Sequence, residues 1–129
     1  MIPKFRAYDS GSLTRMYQPE EVMVCDGNIW IIDEDDVAGS WIVNNDLNLM
    51  QSTGLKDKNG KEIFEKDILD YNGRKVIVKW HGSYACFIYE FVDELKNRTT
   101  EWQPLYLSYY KFEIIGNIYE NPEMLEGTE

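Results

Sequence analysis

The chain has 129 residues, with 13 basic and 23 acidic side chains and a net charge of −10. One domain is the default at this length, and a chain of this size buries enough surface to need no disulfide or metal staple. Duplex nucleic acid is an unfavoured partner for so acidic a chain, and with no apolar run near the ~18 residues of a membrane span and no apolar signal core in residues 1–6, no membrane is expected and the expected location is the cytoplasm.

Residues 4–8 form the first strand candidate, with Phe5 and Ala7 on one face. Asp9-Ser10-Gly11-Ser12 turns the chain, and residues 13–17 return. Residues 21–25 and 28–32 flank Asp26-Gly27, a strong hairpin signal. In the second of these strands Trp30 and Ile32 share one face, and Ile29 and Ile31 share the other. Both faces are apolar, which predicts burial on both sides. The run Asp33-Glu34-Asp35-Asp36 reads as a solvated acidic loop. A calcium loop would alternate ligands with spacers, turn on a glycine and end in a bidentate Glu. Trp41-Ile42-Val43 is a short strand, and Asn44-Asn45-Asp46 is a loop.

The densest turn chemistry follows. Residues 49–55 enter a reversal at Asp57-Lys58-Asn59-Gly60, and residues 61–64 leave it. A type I turn closed by a glycine bulge and a type I′ turn on Asn59-Gly60 both fit. Glu65-Lys66-Asp67 then leads into the apolar Ile68 and Leu69. Residues 67–71 and 74–80 flank Asn72-Gly73, the strongest short hairpin signal in the chain. His81-Gly82-Ser83 turns the chain into residues 84–92, where Phe87, Tyr89 and Phe91 line one face. Three consecutive antiparallel strands of this kind resemble the heart of an SH3-like barrel, a likeness of fold that fixes no function.

Polar residues 93–100 are the expected mobile loop. Residues 102–110 read as a strand, with Pro104 placing it at an edge or at its start. Residues 112–119 read as the last strand, with a bulge at Gly116. Asn121-Pro122-Glu123 starts a helix of about one turn. The expected fold is all-β: antiparallel strands in a small SH3-like barrel or sandwich, with additional hairpins and at most short helical turns. Residues 1–121 form a single β domain in this reading, and residues 122–129 a helical turn and tail.

Reaction chemistry is sparse. His81 is the single histidine and sits in a predicted turn, with no Ser or Cys motif beside it. Cys25 and Cys86 lack metal-ligand spacing and read as buried free thiols. Gly54 and Gly60 sit six apart with no Lys-Ser or Lys-Thr after them, so they form no phosphate loop. No catalytic, cofactor-binding or metal-ligating residue is assigned, no cofactor is expected, and the protein reads as non-enzymatic.

Aromatic residues carry more information. Trp80, Tyr84, Trp102, Tyr106, Tyr109 and Tyr110 exceed what a core of this size needs. Side chains alternate along a strand, so an apolar 102–110 strand would present one face to another layer or subunit. Trp102, Tyr106, Tyr109 and Tyr110 are therefore the candidate protein interface, and a homo-oligomer is expected. The alternative is a nucleic-acid contact through Lys56, Lys58, Lys61, Arg74, Lys75 and Lys79. These lie in residues 51–79, which carry a net +2 between two segments of −6 each.

Three segments carry a family resemblance. They are Lys4-Phe5-Arg6-Ala7-Tyr8-Asp9, then residues 53–63 with Glu65-Lys66-Asp67-Ile68, and finally residues 115–123, Ile-Gly-Asn-Ile-Tyr-Glu-Asn-Pro-Glu. In this order, and spanning nearly the whole chain, they resemble the YopX-like family of phage and prophage proteins. One departure is visible: the family usually has Gly where this chain has Lys66. The resemblance implies a mainly β accessory protein encoded by phages of Gram-positive bacteria. For such a protein the expected location is the bacterial host cytoplasm, and the expected partner of its candidate interface is a host or phage protein. The resemblance implies no reaction.

Overall fold

The computed structural model describes residues 3–11, 13–92 and 102–125. Among the described residues the protein is all-β, built of antiparallel sheets, and no helix has seven or more residues. By its internal contacts the chain divides into two compact units, Met1–Ser52 and Thr53–Glu129.

The first unit contains β1 (Phe5–Asp9), β2 (Arg15–Tyr17), β3 (Val22–Cys25), β4 (Asn28–Ile32), β5 (Trp41–Val43) and the start of β6 (Asn48–Lys56). β1 pairs with β2 on one side and with the start of β6 on the other. β3, β4 and β5 form a separate three-stranded sheet in that order. The β3–β4 hairpin turns on Asp26 and Gly27, both at positive φ, which is the type I′ geometry their sequence invites. Ala7, Tyr17, Val22, Ile31 and Leu47 form the buried cluster of this unit, with Phe5, Ile29 and Leu49 packed against it.

The second unit holds the end of β6 with β7 (Glu62–Phe64), β8 (Asp67–Tyr71), β9 (Arg74–His81), β10 (Cys86–Phe91), β11 (Trp102–Pro104) and β12 (Glu113–Asn117). Five of these strands form one sheet, ordered β11-β10-β9-β8-β12. The predicted meander is its centre, and Asn72 and Gly73 at positive φ close the β8–β9 hairpin. Its core is Ile63, Leu69, Val76, Val78, Tyr89, Leu105 and Phe112. Opposite Leu69 and Ile68 the β12 register shifts between Ile114 and Gly116, the bulge expected there. A Cβ on Gly116 would stand 2.4 Å from Asn121 Oδ1, which explains why the bulge carries no side chain at that point.

The turn at residues 57–60 is a type I turn closed by a glycine bulge. Gly60 N–H donates to Asp57 O (3.0 Å), Asp57 N–H donates to Lys61 O (2.8 Å), and only Gly60 has positive φ. Asp57 does more than shape the turn. Its Oδ1 accepts from Asn59 N–H and Lys61 N–H, and its Oδ2 accepts from Ile114 N–H on β12, each at 2.9 Å. Lys58 N–H donates to Phe112 O (2.9 Å). The hub of the sequence is thus a hydrogen-bonded knot between the β6–β7 turn and the strand that closes the sheet.

Lys66 lies in the left-handed region, at φ 70. Its backbone is locked there: its N–H donates to Val78 O (2.8 Å) and its carbonyl accepts from Ile118 N–H (3.1 Å). Asp67 Oδ2 accepts from Phe64 N–H across the same turn (2.8 Å). This backbone shape is natural for glycine, the residue that the resemblance led one to expect in place of Lys66.

Two expectations are corrected. Residues 102–110 are not one strand: β11 ends at Pro104, and short 3-10 turns follow at Leu105–Leu107 and Tyr109–Lys111. Pro104 supplies no ladder donor, and Ser108 and Lys111 N–H groups bond back to Leu105 and Ser108 carbonyls instead (3.0 and 2.9 Å). β4 is not buried on both sides either: Ile31 alone is buried, because the core of its unit covers one face of the sheet. The expected loop at residues 93–100 lies outside the described residues.

Candidate protein-interaction surfaces

The outer face of the β3-β4-β5 sheet is the most unusual surface of the first unit. Register pairs Val22 with Ile31 and Ile31 with Ile42; Val22 and Ile31 face the core, while Ile42 on the edge strand β5 is 43% exposed. Alternation then points Met23, Cys25, Trp30, Ile32, Trp41 and Val43 the other way. Met23, Trp30 and Val43 stand side by side across the three strands, with Ile32 next to Trp41 behind them. A solvent-facing sheet row is normally polar. Here Met23 is 44% exposed, Val43 43% and Trp41 36%, and Cys25 is exposed. The Trp30 Nε1 donor is buried with no hydrogen-bond partner.

Carboxylates frame this face. Residues 33–36 and Glu20 and Glu21 lie at one end of the sheet, and Asp26 and Asp46 at the other. Arg15 lies between Glu21 and Glu34. In the acidic loop, Asp36 accepts from the Ser40 hydroxyl and from Ala38 N–H (2.9 Å for the latter). Those two bonds, the hydroxyl first, hold its carboxyl below the ordinary value. The loop is thus organised by its own hydrogen bonds as consecutive turns.

The second unit has its own apolar exposure. Of the sequence-derived interface set, Tyr106 and Tyr110 are more than half exposed, with Leu107 between them. Tyr109 packs on the core and meets Tyr110 at 5.6 Å between ring centroids. Trp102 is half-buried and belongs elsewhere. It stacks with His81 (4.7 Å) and Tyr84 (5.0 Å), and His81 meets Tyr84 at 4.9 Å. The four residues therefore form two clusters rather than one strip.

His81 is not a turn residue: it ends β9, half-buried, with its Nδ1 enclosed and without a hydrogen-bond partner. Strand register sets Cys86 directly opposite it, a juxtaposition invisible in the sequence until β9 and β10 are aligned. Cys25, expected to be buried, is exposed at the β3–β4 hairpin, where the side chain falls on the outer face.

The six basic candidates are dispersed and largely engaged. Lys58 reaches Glu113 (3.9 Å), Lys79 bonds Glu90 (3.2 Å), and Arg74 lies over the Phe91 ring (3.7 Å to the centroid). Lys61 sits beside the buried Asp57 carboxylate. Lys56 is exposed at the end of β6, and Lys75 is half-buried on β9.

These features sit on a chain with clear relatives. The family model described as YopX protein matches residues 4–126. The chain belongs to the YopX family. This YopX-family chain is also similar to a solved structure, the crystal structure of protein EF1440 from Enterococcus faecalis. The identity is 31%, the TM-score 0.65, and the match covers 98% of this chain and 99% of that one. No curated protein matches the chain. No helix among the described residues is long and apolar enough to cross a membrane.

The outer face of β3-β4-β5 was missed as a site in the sequence, although its signal was present. A strand apolar on both faces predicts burial on both sides, whereas here Trp30 and Ile32 are half-buried and their neighbours Met23, Trp41 and Val43 are exposed.

Proposed function

We propose that this YopX-family protein is a phage- or prophage-encoded accessory protein that works in the bacterial host cytoplasm as a non-catalytic protein-binding module. The observation that carries the reading is the apolar outer row of β3-β4-β5. Aromatic and Met side chains are enriched at protein interfaces, and contiguous apolar patches on soluble chains mark interaction sites. The non-catalytic part is supported by what the polar side chains do: Asp57 and Asp67 hold turn backbones, and His81 is packed among aromatic rings. Tyr106, Leu107 and Tyr110 supply a second apolar patch, suited to contact between copies of the chain. Nucleic acid is the weaker reading, since Lys58 and Lys79 already face carboxylates.

Affinity capture from host lysate tests this when run with paired variants. Species held by the wild-type chain should be lost from Met23→Lys and Val43→Lys, and kept by Leu13→Lys, which places the same charge at another exposed apolar site. Light scattering should give a mass above one chain that falls in Tyr106→Glu and Tyr110→Glu. Capture unaffected by either outer-face change would remove the reading.

A further inference from the structure

We infer that the partner of the first unit is a short extended segment, apolar at its centre and cationic at its ends, which adds as a strand beside β3. This rests on the protein-binding reading above and names the occupant. β3 is an edge strand of its sheet. In a two-residue hairpin closed by Cys25 and Asn28, hydrogen-bonded pairs alternate, so the backbone groups of Val22 and Val24 point away from β4. The Val22 N–H bonds Pro19 O at the end of the preceding 3-10 turn, which leaves the Val24 N–H and C=O aimed out of the sheet edge.

A groove of about 360 Å³ runs along that same edge, lined by Pro3, Lys4, Phe5, Pro19, Val22, Met23 and Val24. Groove and outer face meet at Met23. An added strand would place alternate side chains on the two sides of the sheet. One set would enter the groove against Phe5 and Pro19. The other would extend the row of Met23, Trp30 and Val43. Both sets must therefore be apolar over the four-residue length of β3.

Charge decides between this occupant and a second copy of the chain. Residues 1–52 carry three basic and nine acidic side chains. Packing two such faces together brings acidic ends against acidic ends, whereas Lys or Arg flanking an apolar centre would meet them with opposite sign. The contact would then weaken as salt rises.

The probe is a capped octapeptide, Lys-Lys-Val-Ile-Val-Ile-Lys-Lys, titrated into the full chain by fluorescence anisotropy, with amide exchange read at Val24. Expected results are saturable binding, slowed exchange at Val24, and about tenfold weaker binding at each of three changes. These are Glu in place of every Lys in the peptide, N-methylation of alternate peptide amides, and Met23→Lys in the protein. Leu13→Lys, at an exposed site outside the groove and the outer row, should bind as wild type, and Met23→Thr replaces Met23→Lys if the latter fails to fold. Equal binding of the Lys and Glu peptides, or indifference to N-methylation, overturns the inference. So does absence of binding by a chain that dimerises through this face, with Met23→Lys yielding monomer; that outcome leaves the face an interface and the protein-binding reading intact. No binding together with no dimer also overturns the inference, while the protein-binding reading stands or falls with the lysate capture.

Discussion

Asp57→Asn is the sharpest test of the hub. Asp57 is 5% exposed, and its carboxylate accepts three backbone hydrogen bonds, two within its own turn and one from Ile114 N–H on β12. An amide can keep the two bonds to Oδ1 but turns the Oδ2 position into a donor facing the Ile114 donor. One charge-assisted bond is lost and one enclosed N–H is left unmet, a cost of about 2–3 kcal/mol. With a urea m-value of roughly 2 kcal/mol/M, the midpoint should fall by about 1–1.5 M near neutral pH. Exchange at the Ile114 amide should accelerate in parallel.

The effect must also depend on pH. Burial opposes ionisation of Asp57, but the bonds from Ile114, Lys61 and Asn59 and the nearby Lys61 charge outweigh it and hold the carboxyl below its ordinary value. A carboxyl lowered on folding stabilises the native state above its unfolded pKa of about 3.9 and loses that contribution as pH falls through the folded value. The gap between wild type and Asp57→Asn should therefore be full at pH 6–7 and narrow below about pH 4. Equal midpoints at neutral pH, or a gap that widens on acidification, would refute the account of this knot.

Three further outcomes are expected. Lys66→Gly should raise the urea midpoint by the equivalent of about 1 kcal/mol, because the left-handed backbone stays and the Cβ strain goes; a lowered midpoint would show that the Lys66 side chain matters more than its backbone. Gly60→Val and Gly73→Val should each destabilise by about 1–2 kcal/mol, since both glycines sit at φ above 80 with open space around the missing Cβ; unchanged melting in both would contradict the turn geometry. In the native protein Cys25 should react with a thiol reagent faster than the half-buried Cys86, and peptide mapping after a short exposure reads the order directly.

Much of this protein is local in origin and legible along the chain. Asp26-Gly27, Asn72-Gly73 and the reversal at residues 57–60 set where the chain turns, because few residues adopt left-handed backbone without strain. Period-two alternation in β10 put Phe87, Tyr89 and Phe91 on one face, the one that packs in the core, and the three matching segments set the family. Pairings between distant residues were not legible. Nothing near Asp57 announces that Ile114 will donate to its second oxygen, or that Cys86 will stand opposite His81. The Trp102–Tyr110 segment has the composition of a strand, yet past Pro104 its backbone bonds close locally into 3-10 turns. The outer row of Met23, Trp30 and Val43 shows the same limit from the other side. Apolar residues declare that a face is to be covered, but only the packed structure decides what covers it, because burial depends on the layers around a strand and not on the strand alone.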